Sequence, residues 1–406
     1  MAPSLKPEIL LLATILFMLS CNKEEVVTDR EVPSFAITAF NTYDGFGTGE
    51  DIIVTQNGKT VITGLGVGSY PTTEPFVLQL DAGNELEWAE TPVLDNKSLW
   101  NRTMSIIENL DGAYTLLSYS DDSADWGLDF HLTTYQPSGT RMWGRQLEGF
   151  PANEISRSFL QASNGDYIVL GKIDNDAGLS LTDEDKLVAA RTDKNGALIW
   201  YEVLKERDVI AAGDIVASSD STFVILSAHR GVPNQVRVRM IDGLGNTLWE
   251  KPVFSSDNLS ASVKLKLIKT NDGGYLASFA ADEEGKVQEQ DAYLVKLNEQ
   301  GDQVWSRQYG GNRLEFAVEA ISTNDGNFVY LFTTGSFGAV GLDLMLVKVD
   351  QNGAVRWEKK YGGPSSYQGR GIVERPDGSL LVLGDTNTEG YFKFFLMELD
   401  AEGNPL

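Results

Sequence analysis

The stretch LMLVKVDQNGAVRWEKKYGG, residues 344–363, reads as strand, tight turn, strand. Two β-rich runs flank a polar Asp-x-x-Gly turn, which is the pattern of a hairpin. The turn glycine, Gly353, stands four residues before Trp357. The same pair recurs as Gly301 and Trp305, Gly245 and Trp249, Gly196 and Trp200, and Gly139 and Trp143. Gly83 and Trp88 form a first copy that is one residue wider, and Gly403 forms a last copy with no tryptophan after it. Seven copies spaced about 49 to 57 residues apart indicate a repeat architecture.

A second landmark lies between the copies. It is a two-residue turn: Asn57-Gly58, Asp111-Gly112, Asn164-Gly165, Asp272-Gly273, Asp325-Gly326 and Asp377-Gly378, with Asp220-Ser221 in the fourth copy. Asn-Gly and Asp-Gly reach positive φ at little cost and so close hairpins. Each repeat therefore holds four antiparallel strands. About fifty residues in four strands is the size of a propeller blade, and no 3.6-residue period competes with that reading. The predicted fold is an all-β, seven-bladed β-propeller over residues 35–406. The matched tryptophans are expected to pack between blades.

The amino-terminal residues are expected to lie outside this fold. Residues 9–19 are an apolar run too short for a comfortable permanent span, and it ends in Met18-Leu19-Ser20-Cys21. Cys21 is the only cysteine, so an internal disulfide is excluded. Residues 22–33 are polar, end at Pro33 and read as a linker. FAITAF, residues 35–40, occupies the register of a tryptophan strand, while the last repeat has only three strands. The expectation is that this strand completes the last blade and closes the ring. That places the first strand of each blade nearest the axis and the tryptophan strand outermost. Short uniform turns then fall on one face. The long, dissimilar connections, such as GLGVGSYPTTEP and KIDNDAGLSLTDEDK, fall on the other, which is where a rigid scaffold usually carries function.

The MLSC run resembles the lipobox of bacterial lipoproteins, and Asn22-Lys23-Glu24-Glu25 is similar to the export signal of Bacteroidota surface lipoproteins. These resemblances imply a signal peptide at 1–20, a lipidated Cys21 with linker over 21–34, and a lipid-anchored, surface-exposed position on the outer membrane. The run from TNDGGYLASFA to YLVKLNEQGDQVWSRQYGG resembles β-propeller lipoproteins of Bacteroidota. Its D-x-x-G-x-x-x-W part is similar to the blades of quinoprotein dehydrogenases. The adjacent cysteine pair that many of those enzymes set against the quinone is absent, so no cofactor is expected.

Counting seven back from each first-turn position gives Asp51, Ser105, Ser158, Asp214, Lys266, Glu319 and Gly371, which should ring the channel mouth on the long-loop face. The carboxylates offer cation binding or acid–base chemistry, or simply a polar, water-filled channel, and Arg157 and Arg370 are expected to pair with them. Trp100 and Trp126 lie off the repeat grid and offer stacking surfaces. The acidic loop residues lack the ordering of a calcium loop, so no metal is assigned. No catalytic residue is assigned either: His131 and His229 have no nucleophile elbow beside them. The formal charge of −25 argues against nucleic acid. The expected function is a binding scaffold for a glycan or protein, as a monomer or within a membrane complex. The alternatives are a carbohydrate-active enzyme with carboxylates at the mouth and a structural accessory of an outer-membrane complex.

Overall fold

The computed structural model describes residues 47–406, apart from 68–72, 93–100, 123–126, 148–153, 174–184, 206, 258, 260–263, 283–289 and 389–390. The described residues are all-β and form a seven-bladed propeller. Blades 1 to 6 occupy 47–90, 101–146, 154–205, 209–256, 266–309 and 315–361. Each is a four-stranded antiparallel sheet with strands in sequence order. Blade 7, 366–399, has three described strands. The proposed fourth, residues 35–40, lies outside the described residues.

The inner strands are Gly47–Val54, Asn101–Glu108, Glu154–Gln161, Val209–Ala217, Lys266–Lys269, Glu315–Ser322 and Ser366–Glu374. Each lies against the next, and the last lies against the first, so the ring is closed around the axis. The hydrophobic core is divided in the same way. Its seven clusters each draw on two neighbouring blades, because the middle strands are apolar on both faces and must be covered on both. Phe328–Thr334 and Asp343–Val349, for example, are buried at every residue. Blade 7 meets blade 1 through Leu381, Leu383, Phe394 and Leu396 against Ile52, Ile62, Phe76 and Leu78. The Phe76 and Phe394 rings stack there at 5.3 Å.

The glycine–tryptophan repeat now has a mechanism. Each tryptophan packs on the turn glycine of the following blade. A Cβ at Gly301 would lie 2.6 Å from the Trp249 ring, and one at Gly353 would lie 3.0 Å from Trp305. The indole N–H of Trp305 also donates to the Gln351 carbonyl at 2.8 Å, as Trp88 does to Pro137 at 3.0 Å. The tryptophans thus dock at the rim, Trp305 buried and the others half-buried, and join blade to blade. Blade 1 shows what happens where that partner is missing. Its spacing is not wider: Asn84, at φ 65°, takes the left-handed position, four residues before Trp88. Among the described residues no tryptophan faces it. Its side chain instead bonds Arg375 and Glu398 of blade 7, so a side chain is accommodated where the other turns exclude one.

This difference is measurable. Gly353→Ala should cost about 1–3 kcal/mol, from positive φ and the indole contact together, whereas Asn84→Gly should stay within about 1 kcal/mol. Urea midpoints of the two variants test it. Equal costs would remove the proposed role of the tryptophan contact.

Candidate functional site

The channel mouth is shaped by a repeated backbone irregularity. Six of the seven inner strands carry a β-bulge at the same place, leaving Glu50, Met104, Arg157, Gly213, Val318 and Arg370 unpaired in the ladder. A bulge re-aims the side chain it carries, and here Glu50, Met104, Arg157 and Arg370 line the channel. The next residue in each strand is a ring position, and the ring residues are tied to the adjoining blade.

Asp51 accepts from the Ile106 amide at 3.0 Å and from the Ser105 hydroxyl at 2.9 Å. Asp214 accepts from the Leu267 amide at 3.0 Å and also from Ser158. Glu319 accepts from the Ile372 amide at 3.2 Å and meets Lys266 at 3.4 Å. Each carboxylate therefore caps the inner strand of the following blade. Asp51 and Asp214 each satisfy the amide of their own next residue as well, at 3.0 and 2.9 Å. Gly371 leaves room for Ile52 and Glu319, whose atoms would lie 2.8 and 3.4 Å from a Cβ there. Burial opposes the charge on Lys266, but Glu319, Asp214 and Asp51 outweigh it and raise its pKa.

The arginines do not pair as the sequence suggested. Arg370 binds Asp385, a second-strand residue of its own blade whose side chain is fully buried. Asp385 in turn accepts from the Gly49 amide of blade 1 at 2.9 Å, a further link across the ring closure. Arg157 makes no ion pair or hydrogen bond among the described residues. The reason is geometric: the bulges lift both arginines above the ring carboxylates, which already face the neighbouring amides.

Above the ring, on the long-loop side, opens a cavity of about 280 Å³. Its charged lining is Glu50, Arg102, Arg157, Lys264 and Arg370. A narrower neck of about 60 Å³ shares Glu50, Arg157, Lys264 and Arg370 with it and continues to Asp51, Ser158, Asp214 and Lys266. Arg102 binds Glu50 at 2.7 Å, and Lys264 donates to the Arg370 carbonyl at 2.9 Å. Burial above all, with Lys266 and Arg370 nearby, pulls the Lys264 ammonium down to about 8. Burial likewise lowers the Arg157 guanidinium, and Arg102 adds to the effect. Sequence reasoning missed Glu50, Arg102 and Lys264. Their signal was a charged residue one to three places before a ring position, in GEDI, RTMS and KLKL.

Trp100, Trp126 and Cys21 lie outside the described residues. Among the described residues, no group of three or more His, Cys, Asp or Glu side chains could hold a metal ion.

The fold and site define a seven-bladed propeller with tryptophan-docked blades and a cationic funnel on its axis. Residues 184–386, half of the chain, match the family described as outer membrane protein assembly factor BamB, and the chain belongs to that family of quinoprotein-like repeats. No curated protein sequence matches it. Similar solved structures include the propeller domain of the Trilobed protease from Pyrococcus furiosus, with an open velcro topology. It has 12% identity and a TM-score of 0.51, and the match covers 89% of this chain and 98% of that one. A puromycin hydrolase matches at 12% identity and a TM-score of 0.55, over 89% of this chain and 53% of that one. The acylaminoacyl peptidase of Pyrococcus horikoshii matches at 13% and 0.50, over 88% of this chain and 51% of that one. At these identities the likeness is one of fold alone.

Burial pushes the Asp385 carboxyl up to about 6, outweighing Arg370 and the Gly49 amide. The folded chain holds this proton more tightly than an unfolded carboxyl of pKa about 3.9. The resulting stability is present below about pH 4 and lost as pH rises through about 6. The stability of the wild type relative to Asp385→Asn should therefore fall by roughly 2 kcal/mol between pH 4 and pH 7, read from urea midpoints. A constant difference would contradict the assignment.

Proposed function

We propose that the chain is a lipid-anchored binding propeller that presents its long-loop face and axial funnel to a glycan or protein ligand. In this reading residues 1–20 are removed, Cys21 is acylated, 21–34 form the tether, and 35–406 form the disc on the outside of the outer membrane. The observation that carries the binding function is the engagement of the mouth carboxylates. Asp51, Asp214 and Glu319 hold backbone amides of the next blade, and Glu50 and Asp385 hold arginines. Acid–base chemistry on a glycosidic bond needs a carboxyl pair free to exchange protons across the substrate. Capping carboxylates serve the scaffold instead, and the cations above them serve recognition. Several acyl chains on an amino-terminal cysteine would anchor the protein stably, where one chain alone is marginal.

The family match favours a second reading, a structural accessory of an outer-membrane complex, because that family is described as an assembly factor of outer membrane proteins.

Cys21→Ala should abolish palmitate labelling in cells and move the protein out of the membrane fraction. Retention of both would end the anchor proposal. Screened on a glycan array, the protein from Asn22 onward should bind a defined glycan set. No glycan bound, with a membrane protein co-purifying from cells, would replace ligand capture by the accessory role.

A further inference from the structure

We propose that the funnel is an oxyanion site built for one acidic sugar residue. Its carboxylate or sulfate would be received by Arg157 with Arg102, Lys264 and Arg370 around it, and its ring would lie against Phe316. This inference rests on the binding reading above and names the chemical class of the ligand.

The first observation is the sign of the charge. The chain carries 58 acidic and 33 basic side chains, so a recess lined at random would be acidic. Four of the five charged residues lining the cavity are cations. The second is where their counter-charges sit. Glu50 lies against Arg102 with its side chain only 8% exposed, and the Asp385 side chain is fully buried behind Arg370. Asp51, Asp214 and Glu319 lie in the ring below, bonded to amides, Ser105, Ser158 and Lys266. Acidic and basic groups nearly balance over the whole channel, but they are segregated along the axis. The cationic layer faces the cavity.

The third observation is what this leaves unmet. Among the described residues Arg157, which faces the channel, has no ion pair or hydrogen bond, and Lys264 bonds only the Arg370 carbonyl. The Arg102 Nε is buried and unpartnered. A guanidinium carries five donors in a planar fork that matches a carboxylate or sulfate, so such a cluster is incomplete without an oxyanion. The fourth is shape and lining. A volume of about 280 Å³ suits a single sugar residue rather than a polymer segment. Phe316, 39% exposed, lines it and offers a face for the ring, and Gln290 and Gln368 offer hydrogen bonds to hydroxyls. A recessed site is poorly placed to engage a flat lipid surface, and the overall charge disfavours a nucleic-acid backbone.

Isothermal titration of the protein from Asn22 with glucuronic acid, glucose 6-sulfate, inorganic sulfate and glucose tests the proposal. The two acidic sugars should bind at least about tenfold tighter than glucose, with inorganic sulfate weaker than either acidic sugar. Arg157→Gln should cut glucuronate affinity about tenfold or more at an unchanged melting temperature, and Arg157→Lys should restore part of it. Affinity should also decline above about pH 8, where Lys264 loses its proton. Glucose binding as tightly as glucuronate, or an Arg157→Gln variant that binds glucuronate normally, would overturn the inference. Inorganic sulfate matching glucose 6-sulfate would overturn its sugar component. A neutral glycan held equally by wild type and Arg157→Gln would overturn this site while sparing the binding-propeller reading. No binding of any glycan would overturn this inference and the glycan arm of the binding reading, leaving a protein ligand as its remaining arm.

Discussion

The contact between one blade and the next is the constraint on which this molecule depends. A four-stranded sheet whose middle strands are apolar on both faces cannot bury itself. Every core cluster therefore spans two blades, including the one that joins blade 7 to blade 1. The rim follows from the same need. A tryptophan placed on the next turn requires a residue without a Cβ, and the left-handed φ at that turn favours the same residue. Asn84 follows from this logic too: where the preceding blade offers Arg375 and Glu398 in place of an indole, a side chain fits.

The inner ring solves a different problem. Each inner strand is the edge of its sheet, and in six of them a bulge interrupts the ladder further, so amides are left needing acceptors. Carboxylates from the preceding blade supply them at Ile106, Leu267 and Ile372. Structural need thus places acidic groups deep in the channel and turns them sideways. The bulged and preceding residues, several of them basic, project above. A charge-segregated axis is a consequence of how the blades are joined, and a strongly acidic protein thereby acquires a cationic recess.

Much of the architecture was legible in the residues. The Gly353–Trp357 pair and the Asp325-Gly326 type of turn recur because each blade repeats the same local geometry, so blade number and strand order could be counted. The ring positions could be found because side chains alternate along a strand at a fixed distance from its turn. The partners of those residues were not legible. Asp51 and Ile106 are 55 residues apart, and nothing local marks the carboxylate as a backbone acceptor. A bulge adds one residue without a chemical signature. Arg157 and Arg370 were therefore read as facing carboxylates that the structure turns elsewhere.

By itself the sequence determined the repeat, the all-β class, the number of blades and the face on which long connections gather. These depend on short-range rules: turn chemistry, period-two burial and the size of indole against glycine. Only the tertiary structure decided which charges meet. That outcome depends on where seven inner strands converge, and convergence sets distances between residues some fifty positions apart that no single repeat encodes.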